Sequence, residues 1–261
     1  MSFTVKGIKI AIAGASALSF AACNGIFDDI YDTPTTVLPA KGQLIIDATS
    51  WTDWYYVDLN ALQRLAEAGD TAALETAQTE FAPYPIPMSL TGDGDGRTGQ
   101  YMYWFDVFGE GIKKSEFRSF TPTDKQTEPE EWSFAIHRNN VRTNGGVAYE
   151  TAFTSMDQLP ESSDSFTDVE FAADEWTENE VWDSQEQMLL GNVPSQGIGV
   201  NKVLSSWLTL DIPPMPPAFT KNGHVFLLKL ADGSIAALQL EDYISPSGAK
   251  CYLTINYKYP Y

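Results

Sequence analysis

The chain has 261 residues, with 35 Asp and Glu against 16 Lys and Arg, a formal net charge of −19 and 13 % aromatic residues. That acidity excludes nucleic acid as a partner, since phosphates need Lys and Arg, and it gives no attraction to anionic headgroups. It suits solubility outside a cell, and the aromatic share favours strands over helices.

Residues 1–22 read as an address rather than as fold. Lys6 and Lys9 precede an uncharged apolar run, Ile10 to Phe20, and Phe20-Ala21-Ala22 leads into Cys23. Small residues before a break fit a secretory signal peptide. A cysteine at the break resembles the lipobox of a bacterial lipoprotein, in which Cys23 is acylated and becomes the mature N-terminus. The apolar run is too short to span a bilayer, so lipid on Cys23 is the expected membrane link. Ordinary cleavage near Ala22, or a single anchor helix, is the alternative. With Cys23 lipidated, Cys251 has no intrachain partner. It lies in an alternating run from Cys251 to Tyr257, where it reads as a small apolar strand residue.

Asn24 to Ala40 carries Asp28, Asp29, Asp32 and two prolines without periodicity, which predicts a tether over 23–40. Its early acidic pair resembles surface-export signals of Bacteroidota lipoproteins. Gln43 to Val57 predicts two strands around a turn at Asp47–Asp53. Leu59, Leu62, Leu65 and Ala66, then Leu74, Ala77 and Phe81, have helical spacing. Gly69-Asp70-Thr71 separates two short helices over about 59–81, and Pro83, Pro85 and Pro87 stop them. Gly92 to Gly96 is an acidic loop whose Asp93 and Asp95 resemble the start of a calcium loop without its later ligands.

Tyr101 to Phe108 predicts a dense strand, and Phe117 to Glu131 a polar loop. Trp132, Phe134 and Ile136 alternate with Ser133, Ala135 and His137 as a strand with one large apolar face. Its basic exit, Arg138 to Arg142, runs to a turn at Asn144-Gly145-Gly146. Gln158–Asp168 is a polar stretch, and strand runs return at Ser205–Asp211, His224–Leu230, Ser234–Leu240 and Lys250–Tyr259. Ala231-Asp232-Gly233 predicts a hairpin turn between two of them. No repeat emerges. The expected fold is all-β: one mostly antiparallel domain over 41–261 with a short helical insertion near its N-terminus.

The block Trp132-Ser-Phe-Ala135-Ile-His137-Arg138…Val141-Arg142-Thr-Asn144 resembles the signature of HmuY-like haem-binding lipoproteins of the Bacteroidota. Weaker matches follow in the family's order: Met156-Asp157-Gln158, Trp207-Leu208, Val225-Phe226, Ala231 to Ala236, Asp242-Tyr243 and the terminal Tyr257-Lys258-Tyr259-Pro260. The resemblance implies a haemophore, not an enzyme. Such a protein binds haem and delivers it to a TonB-dependent outer-membrane receptor, from an outer-membrane lipid anchor at the cell surface or after release outside the cell. Residues 59–127 are longer than in the best-known member, so nothing carries over there.

Haem needs an apolar slot and axial ligands drawn from His, Met, Cys or Tyr. The chain has only His137 and His224. In the family the histidine matching His137 is framework rather than ligand, and His224 follows Asn222-Gly223 as a turn residue. The resemblance implies one ligand on each side of Trp207, the second at Ile212, which cannot bind iron. The same loop, Asp211-Ile212-Pro213-Pro214-Met215-Pro216-Pro217-Ala218-Phe219, offers Met215 in a proline-stiffened segment. The first-ligand region, Val181 to Leu190, offers Met188, and relatives with methionines in place of the histidines are known. Met188 and Met215 are therefore the candidate axial ligands, with Trp182, Ile212 and Phe219 as pocket wall and Lys202 as a candidate partner for a propionate. The plain alternative for both methionines is apolar packing.

Two other functions compete. Trp51, Trp54, Trp104, Trp176 and Trp182 could stack on a glycan or meet a protein partner without haem. A hydrolase would need an acid–base carboxylate pair or a Gly-x-Ser-x-Gly elbow, and no spacing singles either out.

Overall fold

Between Val225 and Lys229 the side chains alternate between two apolar layers, and this alternation sets the architecture. Phe226 and Leu228 face the main core, while Val225 and Leu227 face a second cluster on the opposite side of the sheet. A strand buried on both faces carries a continuous apolar run rather than strict alternation with polar residues.

The computed structural model describes residues 42–86, 101–106, 111–119, 126–182, 192–211 and 217–261, without the side chains of 101–119, 178–182 and 192–198. These residues belong to one unit, Leu38–Tyr261. The expected signal peptide, tether, Cys23 and acidic loop at 92–96 lie outside them.

The largest sheet has six antiparallel strands. In spatial order these are β1 (Gln43–Asp47), β16 (Lys250–Lys258), β15 (Ile235–Ile244), β14 (Phe226–Lys229), β8 (Val147–Glu150) and β9 (Ala172–Ala173). A second sheet orders β3 (Pro83–Pro85), β2 (Asp53–Val57), β6 (Phe134–His137) and β7 (Asn140–Thr143). A third orders β10 (Glu175–Trp182), β11 (Asn192–Val200), β4 (Tyr101–Asp106) and β5 (Gly111–Ser119). The hairpin of β12 (Leu208–Asp211) and β13 (Ala218–Lys221) stands as a separate pair. The fold is mostly antiparallel β with few helices.

The main core lies between the first two sheets. Leu44, Ile46, Leu238, Leu253 and Ile255 meet Val57, Phe134, Ile136 and Val141, all at most 1 % exposed. The helices close one side. In α1 (Leu59–Ala68), Asp58 caps the start by accepting from Ala61 N at 3.0 Å, and Leu59 and Leu62 point inward. Gly69 ends it at φ 69, a conformation with no Cβ penalty for glycine. Asp70 then caps α2 (Thr71–Thr79) in the same way. The far side of the six-stranded sheet is covered by residues 153–171, whose Phe153, Met156, Leu159, Phe166 and Phe171 pack over Val225 and Leu227. Two 3₁₀ turns in this polar stretch are capped by Ser155 and Ser162.

Several expectations are corrected. The strands over 43–57 form where predicted but do not pair with each other. β1 joins β16 and β2 joins β6, so the turn between them carries the chain from one sheet to another. The 117–131 segment is not all loop, because β5 extends to Ser119. β11 was unforeseen, since Pro194, Gly197 and Gly199 are poor strand formers. Residues 205–211 begin not as strand but with a helical turn, α3 (Lys202–Ser205), capped by Asn201. Asn201 Oδ1 accepts from Leu204 N, and its Nδ2 donates to Ala172 O, both at 2.9 Å.

Candidate functional site

The Trp132–Gly146 block folds as one hairpin that closes on itself. Asn144 N donates to Ser133 O at 3.1 Å, and Asn144 Nδ2 donates to Trp132 O at 3.0 Å. The strand starts at Phe134, and the chain reverses at Arg138-Asn139, between the paired His137 and Asn140. The first reversal thus falls six residues before the predicted Asn144-Gly145-Gly146 turn, where a second bend follows with Gly145 at φ 68. Arg138 holds φ 54, a left-handed conformation usually given to Asn or Gly in such turns.

Side-chain contacts hold Arg138 in that conformation. It is 7 % exposed, its guanidinium lies 3.8 Å from the centre of the Trp51 ring, and Nη1 donates to Thr49 O at 2.7 Å. Burial lowers its pKa, with the neighbouring Cys251 opposing that shift. Burial likewise pushes the Cys251 thiol up, against the pull of Arg138 and Lys250, so this cysteine is a neutral core group rather than a nucleophile.

His137 has no exposed surface. Its Nδ1–H donates to Asp53 O at 3.0 Å, and its ring lies 5.4 Å from that of Trp54. This is a framework histidine holding β6 to the start of β2. His224 is partly exposed, and its Nδ1 meets Glu150 Oε1 at 2.7 Å; Asn222 Nδ2 donates to the same oxygen.

Arg142 occupies an aromatic cage. Its guanidinium lies 4.9 Å from the ring centre of Trp54 and 5.2 Å from those of Tyr56 and Trp132. It donates to the Tyr56 hydroxyl and, at 3.1 Å, to Glu128 Oε2. Burial pushes the Tyr56 phenol up to about 12; Arg142 pulls against this shift and Glu128 adds to it. Neither arginine was singled out from the sequence. The available signal was two cations four residues apart in a run otherwise apolar or turn-forming.

The described residues bracket the haem candidates rather than containing all of them. Met188, Ile212 and Met215 lie outside the described residues. Trp182 ends β10, paired with Ser195, and its side chain is not described. Phe219 is partly buried in β13, opposite Leu210, packed on the main core and stacked on Tyr243 at 5.9 Å. Lys202 opens α3, and its Nζ lies 3.5 Å from Glu175 Oε1. Asp211 pairs with Ala218, so the two strand ends flanking the proline-rich run are adjacent. At the base of this hairpin Trp207 is fully buried, and its indole N–H has no hydrogen-bond partner among the described residues.

Among the described residues no group of three His, Cys, Asp or Glu side chains is placed to hold a metal ion. Met156 is packed in the outer cluster. Two surface clefts beside α1, of about 280 and 260 Å3, contain none of the haem candidates. Both are smaller than the roughly 300–1,000 Å3 of pockets that bury drug-sized ligands.

Of the tryptophans considered for glycan stacking, Trp54 is fully buried and Trp51 is partly buried with one face against Arg138. Among the described residues Trp176, 46 % exposed, is the one large apolar side chain on the surface.

Comparison with known proteins places this architecture. A Bacteroides vulgatus protein described as HmuY-like and haem-binding is 27 % identical, with a TM-score of 0.53 over 84 % of this chain and 91 % of its own. A Bacteroides fragilis protein described as a lipoprotein is also 27 % identical, with a TM-score of 0.54 over 84 % of this chain and 89 % of its own. Apo PinO of Porphyromonas gingivitis, 17 % identical, shares the fold with a TM-score of 0.57 over 83 % of this chain and 94 % of its own. No curated protein matches the chain in sequence. The model of the HmuY protein family matches residues 50–257, and the chain belongs to that family.

Proposed function

We propose that this chain is a haem-binding lipoprotein, anchored in the outer membrane through Cys23, that holds haem between Met188 and Met215 and passes it to a TonB-dependent receptor. The observation that carries the reading is the family match over 50–257, which spans both methionine segments. A likeness to a Bacteroides protein described as haem-binding supports it. The burial and backbone hydrogen bond of His137 agree with a site that does not use that histidine. Bound haem would supply an iron with two axial positions, and thioether donors, soft and neutral, favour its ferrous form. Trp182, Ile212 and Phe219 would wall the porphyrin, and Lys202 would stand as a cation for a propionate. On this reading the protein is a carrier, not an enzyme.

Titration of the purified chain with haemin, before and after dithionite, tests the reading. A shifted, sharpened Soret band with resolved α and β bands after reduction is expected. Flat difference spectra in both redox states would sink it. The anchor is tested separately, since Cys23→Ser should move the protein from the detergent phase to the aqueous phase while leaving the spectra unchanged.

A further inference from the structure

The two clefts beside α1 have no part in the haem reading. They share Asp58 and Glu131, so the two halves of this trough beside the helix adjoin at those carboxylates. The floor of one half is apolar and aromatic: Leu62, Ala77, Phe81, Tyr56 and Tyr84. Carboxylates stand along its edge, Glu80 and Glu131 exposed and Asp58 half-buried. The other half adds Glu130 and Asp232, and burial does not explain the ionisation of the latter. Asp232 is held below the usual carboxylate range by hydrogen bonds from Ser234.

The protein itself shows which chemistry this rim accepts. The guanidinium of Arg64 spans the trough's two shared carboxylates, 3.4 Å from Asp58 Oδ2 and 3.2 Å from Glu131 Oε2. Arg64 is 61 % exposed and Glu131 72 %, so these pairs are weakly held and open to exchange with another cation. Cleft volumes of about 280 and 260 Å3 suit one or two side chains each rather than a compact organic ligand.

We infer that this trough docks a basic segment of a partner protein, with an apolar side chain on the floor between Phe81 and Tyr84 and a Lys or Arg at Glu80 and Glu131. The chain's net charge of −19 draws such a segment in, while the apolar floor and its carboxylate edge choose where it settles. The small contact makes a transient complex, which suits a carrier that must let go.

The test uses the full chain and a fluorescein-labelled peptide of alternating Lys and Phe, read by fluorescence anisotropy at low salt, with the Glu and Phe counterpart as control. The Lys peptide should bind and the Glu peptide should not. Glu80→Gln with Glu131→Gln should weaken binding about fivefold, consistent with two exposed ion pairs, and Phe81→Ser should weaken it as well. Glu161→Gln with Asp168→Asn removes the same charge from exposed positions on the 153–171 segment and should leave binding unchanged. Absence of binding, or equal loss in this control pair, overturns the proposal, because only net charge would then be at work. Equal displacement by spermine of matched charge also overturns it, because the apolar floor would then contribute nothing. Haem spectra of the same variants should be unchanged, so failure here and failure of the haem reading are separate results.

Discussion

Arg142 donates to the hydroxyl of Tyr56 across Ala135, the residue that pairs with both of them in adjacent strands. The row Tyr56–Ala135–Arg142 crosses the second sheet, and its middle member has no side chain beyond Cβ. That gap lets the long arginine lie back over the sheet, with Trp54 and Trp132 on either side. A guanidinium is weakly hydrated and stacks on aromatic faces, so it tolerates this setting better than an ammonium would.

The phenol of Tyr56 makes the cage visible to pH. Its pKa rises from 10.0 to about 12 in the folded protein, so the neutral form is favoured there. A raised folded pKa contributes stability that is fully present below the unfolded value and is lost as pH rises through the folded one. Stability should therefore fall between pH 10 and about 12. Tyr55, Tyr252, Tyr257 and Tyr261 are raised as well, so the useful quantity is a difference. Tyr56→Phe should lose less stability over that window than the parent, by about 2 kcal/mol. Denaturant unfolding at stepped pH measures it, and parallel curves for the two proteins would refute the assignment.

Ala135 gives a second, steric prediction. Ala135→Leu would fill the gap that Arg142 crosses, inside a cluster with Trp54, Ile86 and Val200. Overpacking of this kind costs about 1–3 kcal/mol. Ala135→Gly should cost less, since it adds no atoms. Thermal unfolding of both variants checks the order, and a leucine variant as stable as the parent would show that the gap is not needed.

The positions of elements, not their order in the sheets, were legible where one residue type dominates a position. The Ala231–Gly233 turn, the last two long strands and the two short helices follow from alternation, from helical spacing and from the Gly69-Asp70-Thr71 break, whereas the Asp58 cap was not read from the sequence. Partner choice was not legible, because β1 and β2 look like a hairpin until tertiary pairing sends them to different sheets. β11 was hidden because its glycines and proline gain strand structure only from β4 and β10 on either side. The framework role of His137 follows from its place in an apolar strand, and its burial and bond to Asp53 O agree. Arg138 and Arg142 read as a basic exit because cation–aromatic packing depends on neighbours from distant strands, Trp51, Trp54 and Tyr56, which one-dimensional patterns do not pair.

His137 supplies a control for haem binding. His137→Gln keeps polar atoms near Asp53 O but loses the ring packed against Trp54. It should cost about 1–3 kcal/mol, as expected when a buried hydrogen bond is disturbed. The haem difference spectrum at saturating protein should keep its band positions. Altered bands in a variant that remains folded by circular dichroism would return His137 to the list of iron ligands.

The methionines carry the sharpest consequence. Thioether sulfur is a neutral donor, so it stabilises ferrous over ferric iron and raises the reduction potential. Met215→Ala and Met188→Ala should each weaken the reduced spectrum more than the oxidised one, because the lost donor matters most to the ferrous state. Met215→His should restore a strong spectrum with a weaker preference for ferrous iron, since imidazole supports ferric iron better than a thioether does. The measurement is a redox titration of the haem-loaded chain, comparing midpoints of the parent and the three variants. A lower midpoint for Met215→His, with weakened ferrous bands in both alanine variants, fits axial ligation by Met215 and Met188. If both alanine variants keep the parent's spectra and midpoint, the methionines are packing residues. The iron would then take its ligands from elsewhere in the chain, and tyrosine phenolates are the donors to test next.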